Sequence, residues 1–160
     1  MDRCDEQDLP LRRACLDFVH DIDLSALVRN EDLIKALRAL PGRRIVFTNA
    51  SRGHASAALA AIGMADLFAA TASIEDSDFV GKPHLSAFSG FFEAHGVSPG
   101  TAAMFDDRAG NLSVPHHLGM KTVLVVDPLI DAADTIAKPR HVDAIVTNLT
   151  GFLRQLVAVA

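Results

Sequence analysis

From Arg44 to the C-terminus, short β-branched and aromatic runs alternate with stretches of helical period, and this alternation restricts the fold more than any other feature. Arg44-Ile45-Val46-Phe47-Thr48 reads as a strand. Ser51 follows as an N-cap for an Ala-rich helix reaching Ile62, where Gly63 stops it. A short strand is expected near Thr71–Ile74, and Pro83 is expected at the first position of a helix running to Glu93–His95, before Gly96. Ala102-Ala103-Met104-Phe105 is the next strand, followed by a helix from about Ala109 that breaks at Pro115. Thr122–Val126 is a continuous apolar strand of the kind buried on both faces. Ala144-Ile145-Val146 is a last short strand and Leu149–Val159 a closing helix. Strands and helices in this order predict an α/β fold, a parallel sheet with helices on both faces. In such sheets ligands bind beyond the carboxyl ends of the strands, so chemistry belongs there.

Upstream, residues 8–20 place Leu9, Leu11, Leu16 and Val19 among charges, compatible with one amphipathic helix. Asn30 reads as the N-cap of a second, with a Leu33, Ile34, Leu37, Leu40 stripe ended by Pro41-Gly42. A chain of 160 residues fits one domain and can bury a core. No stretch has the length of apolar sequence that spans a membrane, and the charged N-terminus lacks a secretory apolar region. The expectation is a soluble cytoplasmic protein. A formal net charge of -5 argues against a nucleic-acid polymer as partner. It leaves room for a small phosphorylated ligand, which one Lys and a few backbone N–H groups can hold. Cys4 and Cys15 have neither metal-ligand nor redox spacing. His116-His117 are adjacent, so their rings diverge, and no third ligand stands at zinc spacing.

Three strand ends carry polar residues where a core would want none. Phe47-Thr48-Asn49 ends one, Gly81-Lys82-Pro83 leads into a helix, and Phe105-Asp106-Asp107 ends another. Singly, each reads as turn chemistry, a solvated helix entry or a helix cap. Together they suit phosphoryl transfer, where charge spreads over three equatorial oxygens and catalysis is positioning and electrostatics. The Thr48 hydroxyl and N–H groups of the helix after Asn49 can cradle those oxygens. Lys82 supplies a point positive charge. Asp106 and Asp107 are hard oxygen ligands of the kind magnesium takes.

These residues resemble the haloacid dehalogenase superfamily. Val46-Phe47-Thr48-Asn49-Ala50-Ser51 is similar to its second motif, Gly81-Lys82-Pro83 to its third, and Met104-Phe105-Asp106-Asp107 to its fourth. Phe18-Val19-His20-Asp21-Ile22-Asp23-Leu24, Leu40-Pro41-Gly42-Arg43, and Asn111-Leu112 with Pro115-His116 and Leu118-Gly119 resemble the bacterial pyrimidine 5'-nucleotidase-like subfamily. The resemblance implies that Thr48 binds the transferring phosphoryl group, helped by Asn49. It implies that Lys82 stabilises the phosphoryl-aspartate, that Asp107 with Asp106 holds magnesium, and that Asn111 supports their loop. Ala50 stands where relatives commonly have Gly, and Arg108, a cation beside the acidic pair, where they commonly have Ser.

Relatives open with an apolar strand ending Asp-x-Asp-x-Thr, whose first Asp attacks phosphorus. Asp21 and Asp23 have that spacing, but Arg12-Arg13-Ala14-Cys15-Leu16-Asp17 before them reads as a helix, and the string also resembles the subfamily's exit from its cap. We read residues 1–29 as a remnant of the cap and its exit segment and residues 30–160 as the core domain, with the central first strand and most of the cap missing. On this reading the strands ending at Thr48 and Asp106 face a gap, whose unpaired backbone groups are costly when buried. The chain is then a truncated reading of a longer gene or a remnant that closes the gap by another pairing, self-association through the exposed gap among the options. Two functions stay open. One is a magnesium-dependent phosphomonoesterase acting on a small phosphorylated metabolite, by resemblance a pyrimidine nucleoside 5'-monophosphate. The other is an inactive module keeping a phosphate and metal pocket. A response-regulator receiver shares the residue types, but its acidic pair comes first in the chain, and here it comes last.

Overall fold

The computed structural model describes residues 23–127 and 138–159. Cys4, Cys15, Asp21 and the helix expected over residues 8–20 lie outside the described residues. The chain divides into two compact units, residues 1–31 with 43–81, and residues 32–42 with 82–160.

In the first unit β1 (Ile45–Phe47) pairs in parallel with β2 (Ala70–Ala72), Val46 opposite Thr71. The ladder runs one step further, because Thr48 N–H donates to Ala72 C=O (2.9 Å). Between the strands lies α1 (Arg52–Ala61). Ser51 caps it as expected, its hydroxyl accepting from His54 N–H (3.3 Å). Gly63 turns the chain at φ +70, a backbone region that costs glycine least. Ala55, Met64, Leu67, Ala72 and Ile74 are buried here. All three β1 residues are only half-buried, as on a strand with one open edge.

The second unit holds a three-stranded parallel sheet, ordered β3 (Ala103–Asp106), β4 (Lys121–Val125), β5 (Ala144–Val146). Four helices belong with it among the described residues. They are α2 (Glu31–Ala39, from Asp32 on), α3 (Leu85–His95), α4 (Ser113–His117) and α5 (Leu149–Ala158). Phe88, Ile34, Leu112, Val142 and Thr122 are its most deeply buried side chains. Asn148 caps α5, accepting from Gly151 N–H (2.9 Å). Phe105 and Phe152 meet edge to face.

The α/β architecture with parallel strands flanked by helices is therefore as the alternation predicted. The hydrogen-bonded strands form two sheets and not one, and among the described residues no strand joins them. Two prolines depart from expectation. His84, extended at φ -66 and ψ 136, caps α3, and Pro83 lies before it after a cis Lys82–Pro83 bond, so the helix starts at Leu85. Pro115 does not break its helix. It is buried in the first turn of α4, where a missing N–H loses no partner, and the helix ends instead before Gly119 (φ +94).

Candidate active site

The residues singled out by sequence fall into two groups, one in each unit. In the first unit the chain leaves β1 at Thr48, whose hydroxyl accepts from Ala50 N–H (3.0 Å). A hydroxyl that accepts in this way still has its O–H to donate. Asn49 is exposed at the turn and packs on Gly81. A Cβ at Gly81 would stand 2.7 Å from Asn49 Oδ1 and 2.9 Å from Ile74 Cδ1.

The N-terminus of α1, expected to be a phosphate cradle, is already furnished with anions by the chain itself. Arg52 N–H donates to both carboxylate oxygens of Glu75 (3.0 and 3.1 Å), and the Arg52 guanidinium ion-pairs with Asp76. Asp76 also accepts from Ser73 N–H and Oγ–H (2.8 Å each), closing a capping box with wholly buried Ser73. Burial acts to raise both carboxyl groups, but bonds from Arg52 to Glu75, and from Ser73 and Arg52 to Asp76, hold them below the ordinary carboxylate range. Sequence reasoning missed both acids, though Ser73-x-x-Asp76 spells a capping box.

In the second unit β3 delivers Asp106 into a buried, fully satisfied position. Lys82 Nζ donates to Asp106 Oδ2 (2.7 Å), with only 8% and 5% of the two side chains exposed. Arg108 N–H and Asn111 Nδ2–H both reach Asp106 Oδ1 (2.9 Å each). Lys82 and Asp106 are thus brought together within the second unit, and Asn111 bonds Asp106 from the loop that follows. Asp107, the next residue, is exposed. Arg108 caps the following 3-10 turn, Ala109–Leu112, with no bond from its side chain to that turn.

Asp106 and Asp107 offer the hard oxygen atoms magnesium takes, and Asp107 is open to it. Among the described residues no group of three His, Cys, Asp or Glu side chains is placed to hold a metal. Magnesium commonly takes one or two carboxylates and completes its octahedron with waters and substrate phosphate. Asp107 fits that partial role, and Asp106, with three donors already on it, stands beside it. The His116 and His117 rings are near-perpendicular with centroids 6.2 Å apart, and His117 Nδ1 bonds Ser113 C=O (2.8 Å) in the last turn of α4.

A family model described as haloacid dehalogenase-like hydrolase matches residues 11–117, two thirds of the chain. The chain belongs to the haloacid dehalogenase-like hydrolase family. Its fold is similar to that of L-2-haloacid dehalogenase from Xanthobacter autotrophicus, solved with chloropropionic acid covalently bound. That likeness has a TM-score of 0.62 and 19% identity, covering 79% of this chain and 60% of that one. A hydrolase of the same type from Bacillus subtilis, bound to magnesium, is similar at TM-score 0.64 and 18% identity, covering 94% and 62%. A phosphatase of this type from Thermococcus onnurineus is similar at TM-score 0.62 and 20% identity, covering 78% and 54%. The chain thus spans about 60% of the length of the first of these structures. No curated protein matches the sequence. No helix among the described residues is long and apolar enough to cross a membrane.

Proposed function

We propose that this chain carries the phosphate-holding and metal-holding parts of a magnesium-dependent phosphomonoesterase acting on a small phosphorylated metabolite. The subsidiary reading, on looser sequence resemblance, is a pyrimidine nucleoside 5'-monophosphate in the cytoplasm. The observation that carries the proposal is the buried Lys82–Asp106–Asn111 cluster with Asp107 exposed beside it. Burying an ion pair costs desolvation that an apolar pair would avoid, so such a cluster at a strand's carboxyl end points to function.

In this reading Asp106 is a holder. Its two oxygens accept from Lys82, Arg108 and Asn111, which fixes the Lys82 ammonium and sets where Asp107 begins. Lys82 then presents a preorganised positive charge to a phosphoryl oxygen. Thr48, in the first unit, accepts from Ala50 N–H and keeps an O–H able to donate to a phosphoryl oxygen. Asp107 would hold magnesium with Asp106 beside it, and magnesium bound there would neutralise charge on the phosphoryl oxygens. A carboxylate nucleophile is a separate requirement, and its nearest sequence candidate, Asp21, lies outside the described residues.

The second reading, an inactive phosphate and metal module, is favoured by one observation. Asp106 has three donors on it and little capacity left for a metal. Both readings expect weak magnesium binding, in the millimolar range, strengthened by inorganic phosphate, which isothermal titration checks; phosphate-ester turnover separates them, since only the enzyme reading expects it once a nucleophile is in place. Micromolar affinity abolished by Asp107→Asn would show a fuller ligand set than this account contains.

A further inference from the structure

At the loop that follows Asp106 and Asp107, a histidine reaches in from a part of the second unit distant in sequence. His141 Nε2 lies 2.9 Å from Ala109 C=O, 32 positions away in sequence. A carbonyl oxygen only accepts, so Nε2 carries the proton and donates. Ala109 opens the 3-10 turn Ala109–Leu112, and that turn presents the Asn111 amide to Asp106 Oδ1.

The histidine is itself fixed from behind. Thr122 on β4, wholly buried, donates its hydroxyl to His141 C=O (2.8 Å). Asp143, two residues on, accepts from Thr122 N–H (2.8 Å), and its carboxylate lies 3.1 Å from Thr122 Oγ, whose one proton goes to the nearer His141 C=O. The Thr122 N–H bond, foremost, holds the Asp143 carboxyl below the ordinary range and so keeps it an acceptor. Asp143 N–H in turn reaches Thr122 C=O (2.9 Å). Residues 141–143 are therefore pinned to β4 before the imidazole is extended, and the ring has few orientations left. Hydrogen bonds and the short backbone links between them connect the buried Thr122 through His141, the Ala109–Asn111 turn and Asp106 to Lys82.

We infer that His141 is a positioning residue. By holding the Ala109 carbonyl it sets the turn from which Asn111 fixes Asp106, and so sets the direction in which Asp107 leaves β3. Its bearing on magnesium rests on the function proposed above; its bearing on Asn111 does not. A strut needed only for stability would lower the melting temperature without moving the Asn111 amide, so the two roles are separable.

The test uses the whole isotope-labelled chain, with His141→Leu and His141→Gln beside it. The Gln side chain can present a nitrogen donor near the position of Nε2, whereas Leu cannot. In the unsubstituted chain the His141 Nε2 resonance should be that of a protonated nitrogen. The Asn111 side-chain amide should move in the Leu variant and exchange about tenfold faster, the scale of one lost hydrogen bond. It should return towards its original place in the Gln variant. An Asn111 amide unmoved in the Leu variant, or an unprotonated Nε2, overturns the inference. If the Leu variant does not fold, the Gln variant decides, since an amide displaced there as far as in an unfolded chain also overturns it. Magnesium added to the same samples, followed at the Asp107 and Arg108 amides, should bind about tenfold more weakly to the Leu variant than to the Gln variant. No response to magnesium in the unsubstituted chain would sink the metal reading, while the Asn111 result still decides the role of His141.

Discussion

At the scale of single residues, the Lys82–Asp106 pair is where the chain accepts most risk. Both side chains are over nine-tenths buried, and either one alone would be an uncompensated charge. Lys82→Ala should therefore cost about 3–5 kcal/mol of unfolding free energy. Replacing both, as Lys82→Met with Asp106→Leu, should cost much less than the single change. Urea unfolding of the two variants checks this, and equal losses would show that the pair is not a coupled unit. Gly81 is demanding for a different reason. Its missing side chain is what lets the Asn49 amide approach, so Gly81→Ala must push Asn49 or Ile74 aside. The expected cost is about 1–3 kcal/mol, that of overpacking a tight contact, with a displaced Asn49 side-chain amide in the NMR spectrum. An unmoved amide would mean that the turn simply yields elsewhere.

At the scale of elements, Arg52 joins the start of α1 to the 3-10 turn Ile74–Ser77, its backbone bonded to Glu75 and its side chain to Asp76. Both carboxyl groups are depressed in the folded chain. Each contributes stability that is present above its unfolded pKa and is lost as pH falls through the lower folded value. Unfolding free energy should thus fall as pH drops below about 4, where unfolded carboxyl groups start to protonate. The Glu75→Gln, Asp76→Asn double variant should show a shallower acid limb, and an unchanged slope would contradict the assignment. The strands were legible because their β-branched runs are local signals, and Ser51 was legible because its bond reaches only to His54. Pro83 and Pro115 were misread because the proline rules name several allowed positions, and only the surrounding chain chooses among them. Thr48 and Asp106 could be picked out because polar residues at strand ends break the apolar pattern, and Lys82 because it stands between Gly81 and Pro83 ahead of a helix. His141 could not, because its bond to Ala109 spans 32 positions and leaves no local trace.

For the molecule as a whole, the family and the α/β fold are settled, and the central question is whether this chain turns over phosphate esters. Thr48 and Lys82 are proposed to hold phosphate, and Asp107 metal. Holding a substrate as tightly as its transition state does not accelerate its reaction. Among the described residues no carboxylate has been assigned the in-line attack on phosphorus, and the Asp21 to Asp23 segment reads as a cap exit. Asp23 itself is exposed and spent on a local turn, accepting from Ser25 N–H and Oγ–H (2.8 Å each), which holds its carboxyl below the ordinary range. The direct measurement is steady-state phosphate release from p-nitrophenyl phosphate and uridine monophosphate with magnesium, for the chain and its Asp107→Asn and Asp21→Asn variants. The account predicts that the 160-residue chain releases phosphate no faster than either variant. Turnover by the chain that Asp21→Asn removes would contradict it and make Asp21 the nucleophile.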